Sequence, residues 1–143
     1  MILSIQQLFS DAQAITATAV STNQIDLGVP GSPPYDNNQL NQDIGKGNPV
    51  PILIQVVEDF DAATSITVTL EVGATTALGT VRATESILLA DLVAGKQTFM
   101  QYLPQGIDEQ YLGVRYTVVG SAPTVGKITA GISMGNQSNF TGA

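Results

Sequence analysis

The chain contains no cysteine, no histidine and no tryptophan. Without cysteine it cannot form disulfides, thiolate nucleophiles or cysteine-ligated zinc sites. Without histidine it cannot build a Ser-His-Asp triad, and most schemes that pair a nucleophile with a base lose the base. No apolar run approaches the ~20 residues that span a bilayer. These absences leave carboxylates as the main reactive groups, and we expect no enzyme, no cofactor and no metal site.

Charge is also scarce, because only 12% of the residues are charged and twelve acidic residues face five basic ones. The five basic residues are scattered along the chain, whereas a nucleic-acid binder needs a clustered basic face. We therefore expect neither nucleic acid nor an anionic membrane surface as a partner. A globular domain with so little charge is expected to cover part of its surface with another protein.

The most regular pattern in the sequence is the period-two alternation of short strands. Ser65 to Val72 places Ile66, Val68, Leu70 and Val72 on one face, as in a half-buried strand. Tyr111 to Val119 and Lys127 to Ile132 alternate in the same way, and the short break between them predicts a β-hairpin. Shorter strands are predicted at about 14–20, 25–27, 51–57, 80–83, 86–89 and 97–103.

Eight or nine such strands, with turn signals roughly every ten residues, predict an all-β fold made of two antiparallel sheets. No segment between strands is long and periodic enough for a crossover helix. We expect a single domain over residues 1–143, with an N-terminal arm at 1–12, a long ordered loop at 28–50 and a loose tail at 133–143.

Candidate interface residues come from three stretches that carry apolar side chains with no evident place in the core. The N-terminal residues have helical spacing, so they form either one amphipathic turn or an extended apolar arm. The long loop has two anchors, and the strand at 51–57 is apolar on both faces, as if a neighbouring subunit covered it. The predicted partner interface is Ile5, Leu8, Phe9, Tyr35, Leu40, Leu53 and Val57.

Two further clusters allow sharper interpretations. Glu58, Asp59 and Asp61 could form a glycosidase pair or bind a cation, but carboxylates at strand ends more often cap turns, which we favour. The four tyrosines, Tyr35, Tyr102, Tyr111 and Tyr116, could form a sugar-binding platform. Such aromatics more often lie in a core or an interface, and the alternation already places Tyr116 inward.

Several segments, in order, resemble the jelly-roll cement (decoration) proteins of tailed-bacteriophage capsids. They are Phe9 to Thr16, Ser21 to Gly28, Asp43 to Pro49, Leu103 to Gly106, Tyr111 to Tyr116 and Gly126 to Ile132. Gly113 departs from the larger or charged residue expected at its position. The resemblance implies a jelly-roll sandwich that assembles as a small homo-oligomer, a dimer or trimer, on the outer capsid surface. There it would bridge neighbouring major capsid proteins without catalysis.

Three functions remain open at this point. The first is a structural clamp, by which we mean a homo-oligomer that reinforces the virion shell without catalysis. We expect it to be located on the virion and synthesised in the host cytoplasm, since the N-terminus has no basic leader region. The second is a virion receptor-binding or carbohydrate-binding module, because sandwich folds often present loops to sugars. The third, which we favour least, is a glycosidase that uses the carboxylates around Asp59.

Overall fold

The described residues form nine β-strands in two antiparallel sheets, which confirms the predicted all-β sandwich. A computed structural model describes residues 3–28, 50–100, 102–105, 107 and 109–135. The strands are β1 (Leu3–Ala14), β2 (Ala19–Val20), β3 (Ile25–Asp26), β4 (Ile52–Glu58), β5 (Ser65–Gly73), β6 (Thr80–Leu88), β7 (Gln97–Met100), β8 (Tyr111–Val119) and β9 (Lys127–Ser133). Within these residues the helical structure is limited to one 3-10 turn, Leu89–Asp91, and no helix has the length and apolar character of a membrane span.

The two sheets are built from strands that are distant in sequence. The first sheet has the order β1-β9-β4-β7, and the second has the order β2-β8-β5-β6, with β3 also paired to β8. The chain therefore crosses from one sheet to the other after β1, β3, β4, β6, β7 and β8. In the first sheet β1 and β7 are the outermost strands of this order.

The core lies between the sheets and follows the period-two pattern of the sequence. On β5 the inward residues Ile66, Val68, Leu70 and Val72 are all fully buried. On β8 the inward residues include Tyr116, which is fully buried. Residues of β4 and β9 complete the cluster from the opposite sheet. The alternation in these strands thus correctly predicted which side chains form the core.

The predicted hairpin over Tyr111–Ile132 is wrong. β8 pairs with β2, β3 and β5, whereas β9 pairs with β1 and β4 in the other sheet. The connection between them turns across the core, and its Gly126 has a φ of 130° and packs against the Phe60 ring. The apolar faces of the two strands therefore oppose each other across the core. The alternation of apolar and polar residues in β8 and β9 is compatible with this arrangement and with a hairpin.

Other boundaries also differ from the prediction. The two short strands expected at 80–83 and 86–89 form the single strand β6, which has a register shift opposite the Leu70–Glu71 step of β5. The strand expected at 14–20 is reduced to Ala19–Val20, because β1 occupies the sequence up to Ala14. Ser133 is buried at the end of β9, so it is not part of a loose tail, and residues 136–143 lie outside the described part.

The loop between β5 and β6 folds back over the outer face of the second sheet. A Cβ at Gly113 would lie 2.8 Å from the Leu78 Cδ1 atom, so the glycine makes room for the Leu78 side chain. Beside it the Arg115 Nε donates to both Glu71 carboxylate oxygens at 2.9 and 3.0 Å. Another Arg115 nitrogen donates to the Ala77 carbonyl at 2.9 Å. Gly113 and this ion pair together fix the loop on the sheet.

Candidate partner-binding groove

Within the described residues, a groove beside the N-terminal strand β1 offers a candidate binding site. Its volume is about 270 Å³, slightly below the roughly 300–1,000 Å³ of typical small-molecule pockets. It suits one or two side chains of a partner better than a whole ligand. It is lined by Ile5, Leu8, Phe9, Ser10, Asp11, Thr22 and Asn23.

The strand β1 lies at this position because several of its residues fit the first sheet closely. Phe9 is fully buried in the core. Gly131 lets the strand approach β9, since a Cβ there would lie 2.9 Å from the Leu8 Cδ2 atom. The Ser10 and Tyr116 hydroxyls are hydrogen-bonded at 2.8 Å in the interior, which ties β1 to the opposite sheet.

The second wall of the groove, residues 21–23, is held by hydrogen bonds to both sheets. The Asn23 side-chain amide donates to the Leu8 carbonyl at 2.6 Å, and the Asn23 backbone N–H donates to the Phe9 carbonyl at 2.9 Å. Ser21 exchanges backbone and side-chain hydrogen bonds with Val114 of β8. The groove is therefore formed before any partner binds.

The structure separates the seven predicted interface residues into three groups. Ile5 is 82% exposed and Leu8 is half-buried, and both line the groove; Val57 is 40% exposed on β4. Phe9 and Leu53 have no exposed surface, so their assignment to an interface is corrected: they are buried within the protomer. Tyr35 and Leu40 lie outside the described residues, as does the 29–49 part of the predicted loop.

The N-terminal segment is neither a helical turn nor a free arm over its described length. Residues 3–14 form a strand whose register against β9 shifts three times. Each extra residue moves the following side chain to the other face of the strand. Ile5, Leu8 and Phe9 do not share one face in this strand, because Ile5 is exposed, Leu8 is half-buried and Phe9 is buried.

The acidic cluster has the turn-capping arrangement that we favoured. The Asp59 carboxylate accepts a hydrogen bond from the Ala94 N–H at 2.6 Å, and Glu58 forms an ion pair with Lys127 at 2.8 Å. The Asp61 carboxylate accepts hydrogen bonds from the Thr124 hydroxyl and the Thr124 N–H, which lower its pKa below the usual value. In the described part of the chain no three acidic side chains are grouped as a metal site would require.

The four polar residues that line the groove, Ser10, Asp11, Thr22 and Asn23, were not predicted from the sequence. Asp11 and Thr22 carry no periodic signal, and Asn23 was recognised only as part of a turn. Their positions depend on contacts between β1 and residues 21–23, which pattern analysis of either segment alone does not predict.

Fold and groove define a β-sandwich protein with a pre-formed, partly apolar contact surface along one sheet edge. The chain belongs to the Bbp16 family, whose sequence model matches residues 9–132. No curated protein matches the chain significantly. The family match covers both sheets except residues 3–8 of β1 and Ser133 of β9, and it includes the second wall of the groove but not Ile5 and Leu8.

Proposed function

We propose that this protein is a non-catalytic structural component of a bacteriophage virion. In this role it is a capsid cement, or decoration, protein that binds the outer surface of the shell and bridges neighbouring major capsid proteins. The observation that carries the proposal is the groove: it is a pre-formed surface beside β1, and Ile5 is 82% exposed at its rim.

The strand order supports a jelly-roll sandwich, as the resemblance implies. The first strand pairs with the last, and the chain changes sheet after β1, β3, β4, β6, β7 and β8. Jelly rolls are double-sheet structures of about eight strands that occur in viral capsid proteins. The fold alone does not determine function, so the groove and the charge distribution carry the rest of the proposal.

The charge distribution supports a position outside the shell. The chain carries a net charge of −7, so packaged DNA would repel it. Three of its basic residues already form ion pairs with its own acidic residues: Lys96 with Asp91, Arg115 with Glu71, and Lys127 with Glu58.

A clamp needs only modest contacts at each site. Assembly as a dimer or trimer would place several grooves on one particle, and linking weak sites raises avidity by about 10²–10⁴. Val57 on β4 and the nearby Val93, which are 40% and 47% exposed, offer a second apolar surface for self-association or for a neighbouring capsid subunit.

Co-sedimentation with expanded capsids that lack the protein tests the proposal. We expect the protein to pellet with the shells, and Ile5→Gln to weaken binding at least severalfold with little change in stability. Leu88→Gln is the matched control, because Leu88 is 58% exposed on β6 of the other sheet. Deletion of residues 1–12 is a poorer test, since it removes the buried Phe9. No binding to shells at any protein concentration would refute the proposed function.

The receptor-binding or carbohydrate-binding alternative rests on exposed aromatic side chains. Tyr102 is 50% exposed, whereas Tyr116 is fully buried and so is not available to a sugar. Glycan binding by the wild-type protein that is lost in Tyr102→Ala, together with no shell binding, would favour this alternative over the clamp.

A further inference from the structure

Three turns meet at one end of the sandwich and form a surface that we call the tip. Each turn connects a strand of one sheet to a strand of the other, and the turns comprise residues 59–64, 89–96 and 120–126. The 59–64 turn contacts both of the others. Its Phe60 N–H donates to the Leu92 carbonyl at 3.1 Å, and the Phe60 ring packs against Gly126. Because Phe60 is buried, it joins the three turns from inside.

Apolar side chains are exposed on both sides of the 59–64 turn. Val93 in the 89–96 turn is 47% exposed, and Val125 in the 120–126 turn is 44% exposed. Ala94 is also exposed, and Ala62 is half-buried. An exposed apolar surface with a polar rim is typical of a protein contact site.

Two carboxylates hold these valines in place. The Asp59 carboxylate accepts a hydrogen bond from the N–H of Ala94, the residue after Val93. The Asp61 carboxylate accepts hydrogen bonds from the N–H groups of Thr124 and Val125. The tip is therefore formed before any partner binds, which lowers the entropic cost of binding.

The tip also carries a net negative charge. Four acidic and two basic residues lie in the three turns or directly beside them, which leaves a net charge of −2. They are Glu58, Asp59, Asp61, Asp91, Lys96 and Lys127. The two lysines form ion pairs with Glu58 and Asp91, and across residues 50–100 and 109–135 no basic side chain pairs with Asp59 or Asp61. A basic surface would complement these two charges.

A second copy of this protein offers the tip little positive charge. Two tips brought together would repel each other, because each carries two carboxylates without a cationic partner. Lys96 and Lys127 are paired within the tip itself. Arg82 and Arg115 are engaged within their own chain. Lys46, the fifth basic residue, lies outside the described residues, so cross-linking must decide whether a second copy binds through it.

The tip lies at the opposite end of the first sheet from the apolar part of the groove. Along β9, Lys127 directly follows the 120–126 turn, whereas Gly131 and Ser133 pair with Leu8 and Leu3. With a rise of about 3.4 Å per residue, the Leu3–Leu8 segment lies about 13–20 Å from the tip along the strand. A clamp that bridges two subunits needs two contact surfaces, and groove and tip provide them at separate ends.

We propose that the tip binds a different protein through an apolar and basic surface of that protein. Val93 and Val125 contact its apolar side chains, and its lysine or arginine side chains pair with Asp59 and Asp61. This inference rests on the proposed function, because the partner is then a second shell subunit while the groove contacts the first. It assigns the tip to shell contact rather than to self-association.

Binding of the full-length protein to expanded shells that lack it, measured at several salt concentrations, tests the role of the tip. Asp59→Asn and Asp61→Asn each keep an acceptor oxygen for the backbone N–H groups and remove one charge. We expect each variant to bind about two- to fivefold more weakly, with a smaller effect of salt on binding, because salt screens exposed charges. Val93→Gln should also weaken binding severalfold, since it removes an apolar contact.

Two variants of matched chemistry serve as controls. Asp26→Asn removes one charge from a carboxylate that also accepts a backbone hydrogen bond, from the Gly28 N–H at 2.8 Å. Val81→Gln replaces a valine that is 52% exposed on β6. Asp26 pairs with Tyr111 at the start of β8, and Val81 lies near the start of β6, so both are at the other end of the second sheet. Both controls should bind shells as the wild type does.

Photo-cross-linking identifies what contacts the tip. Val93→p-benzoylphenylalanine, irradiated on shells, should form an adduct with the major capsid protein. The same substitution at Val81 should form little or none. Urea titrations of all variants check that the fold is retained.

Several results would overturn the inference. One is an adduct between two copies of this protein, and another is cross-linking at Val93 no stronger than at Val81. A third is shell binding that Ile5→Gln weakens but Asp59→Asn, Asp61→Asn and Val93→Gln leave unchanged; the clamp function would then stand without the tip. If the wild type does not bind shells at all, the proposed function is wrong and this inference falls with it.

Discussion

The ion pair between Glu71 and Arg115 allows a quantitative test of how the second sheet is stabilised. The Glu71 side chain is only 5% exposed and the Arg115 side chain 32%. Arg115→Met would leave the buried carboxylate with a single hydrogen bond, from the Thr69 hydroxyl at 3.0 Å. Breaking a buried pair costs about 3–5 kcal/mol. Because Arg115 is partly solvated, we expect a loss of stability near the lower end of this range. The lost hydrogen bond from Arg115 to the Ala77 carbonyl adds about 1 kcal/mol.

The expected total of about 3–4 kcal/mol is a large share of the 5–15 kcal/mol that stabilises a typical domain. It is measured as the free energy of unfolding from urea titrations. The double variant Glu71→Leu/Arg115→Met is the decisive comparison, since apolar replacement of a whole buried ion pair is often neutral or stabilising. We expect it to recover most of the lost stability. A loss below about 1 kcal/mol for Arg115→Met, or a double variant as unstable as the summed single variants, would refute the reasoning.

Three further predictions concern the core and its turns. Burial raises the pKa of the Tyr116 phenol, so the folded state holds this proton more tightly than the unfolded state. The contribution of Tyr116 to stability should therefore be constant below pH 10 and fall above it, and Tyr116→Phe should make alkaline unfolding less steep. Ser10→Ala leaves the Tyr116 hydroxyl without its partner and should lower the free energy of unfolding by about 1–3 kcal/mol in urea titrations. Gly126→Ala should lower the melting temperature because its Cβ would collide with the Phe60 ring; Gly79→Ala, with a φ of 145° but open space, should lower it less.

The inward faces of the strands could be predicted from the sequence, whereas the strand partners could not. β5 and β8 alternate so regularly that Leu70 and Tyr116 were correctly placed in the core. Alternation determines which face of a strand is apolar but not which strand lies beside it. The chain between Val119 and Lys127 is equally compatible with a hairpin and with a crossing to the other sheet, and contacts such as that of Gly126 with Phe60 decide between them.

Other features depend on close approaches between segments that are distant in sequence. Gly113 is small because Leu78, thirty-five positions earlier, packs on it. Gly131 is small because Leu8 lies against it. The groove also depends on contacts between separate segments, since Asp11 and Asn23 reach their positions only when β1 packs against residues 21–23. The sequence predicts Ile5, Leu8 and Phe9 as interface residues, but local sequence could not distinguish the buried Phe9 from the exposed Ile5.

Electron microscopy of virions with and without this protein tests the central claim most directly. The account predicts a β-sandwich density on the outer surface of the shell that contacts at least two capsid subunits, with the β1 edge against one of them, and that disappears when the protein is absent. A shell density that does not change, or a density located only at the tail, would contradict it.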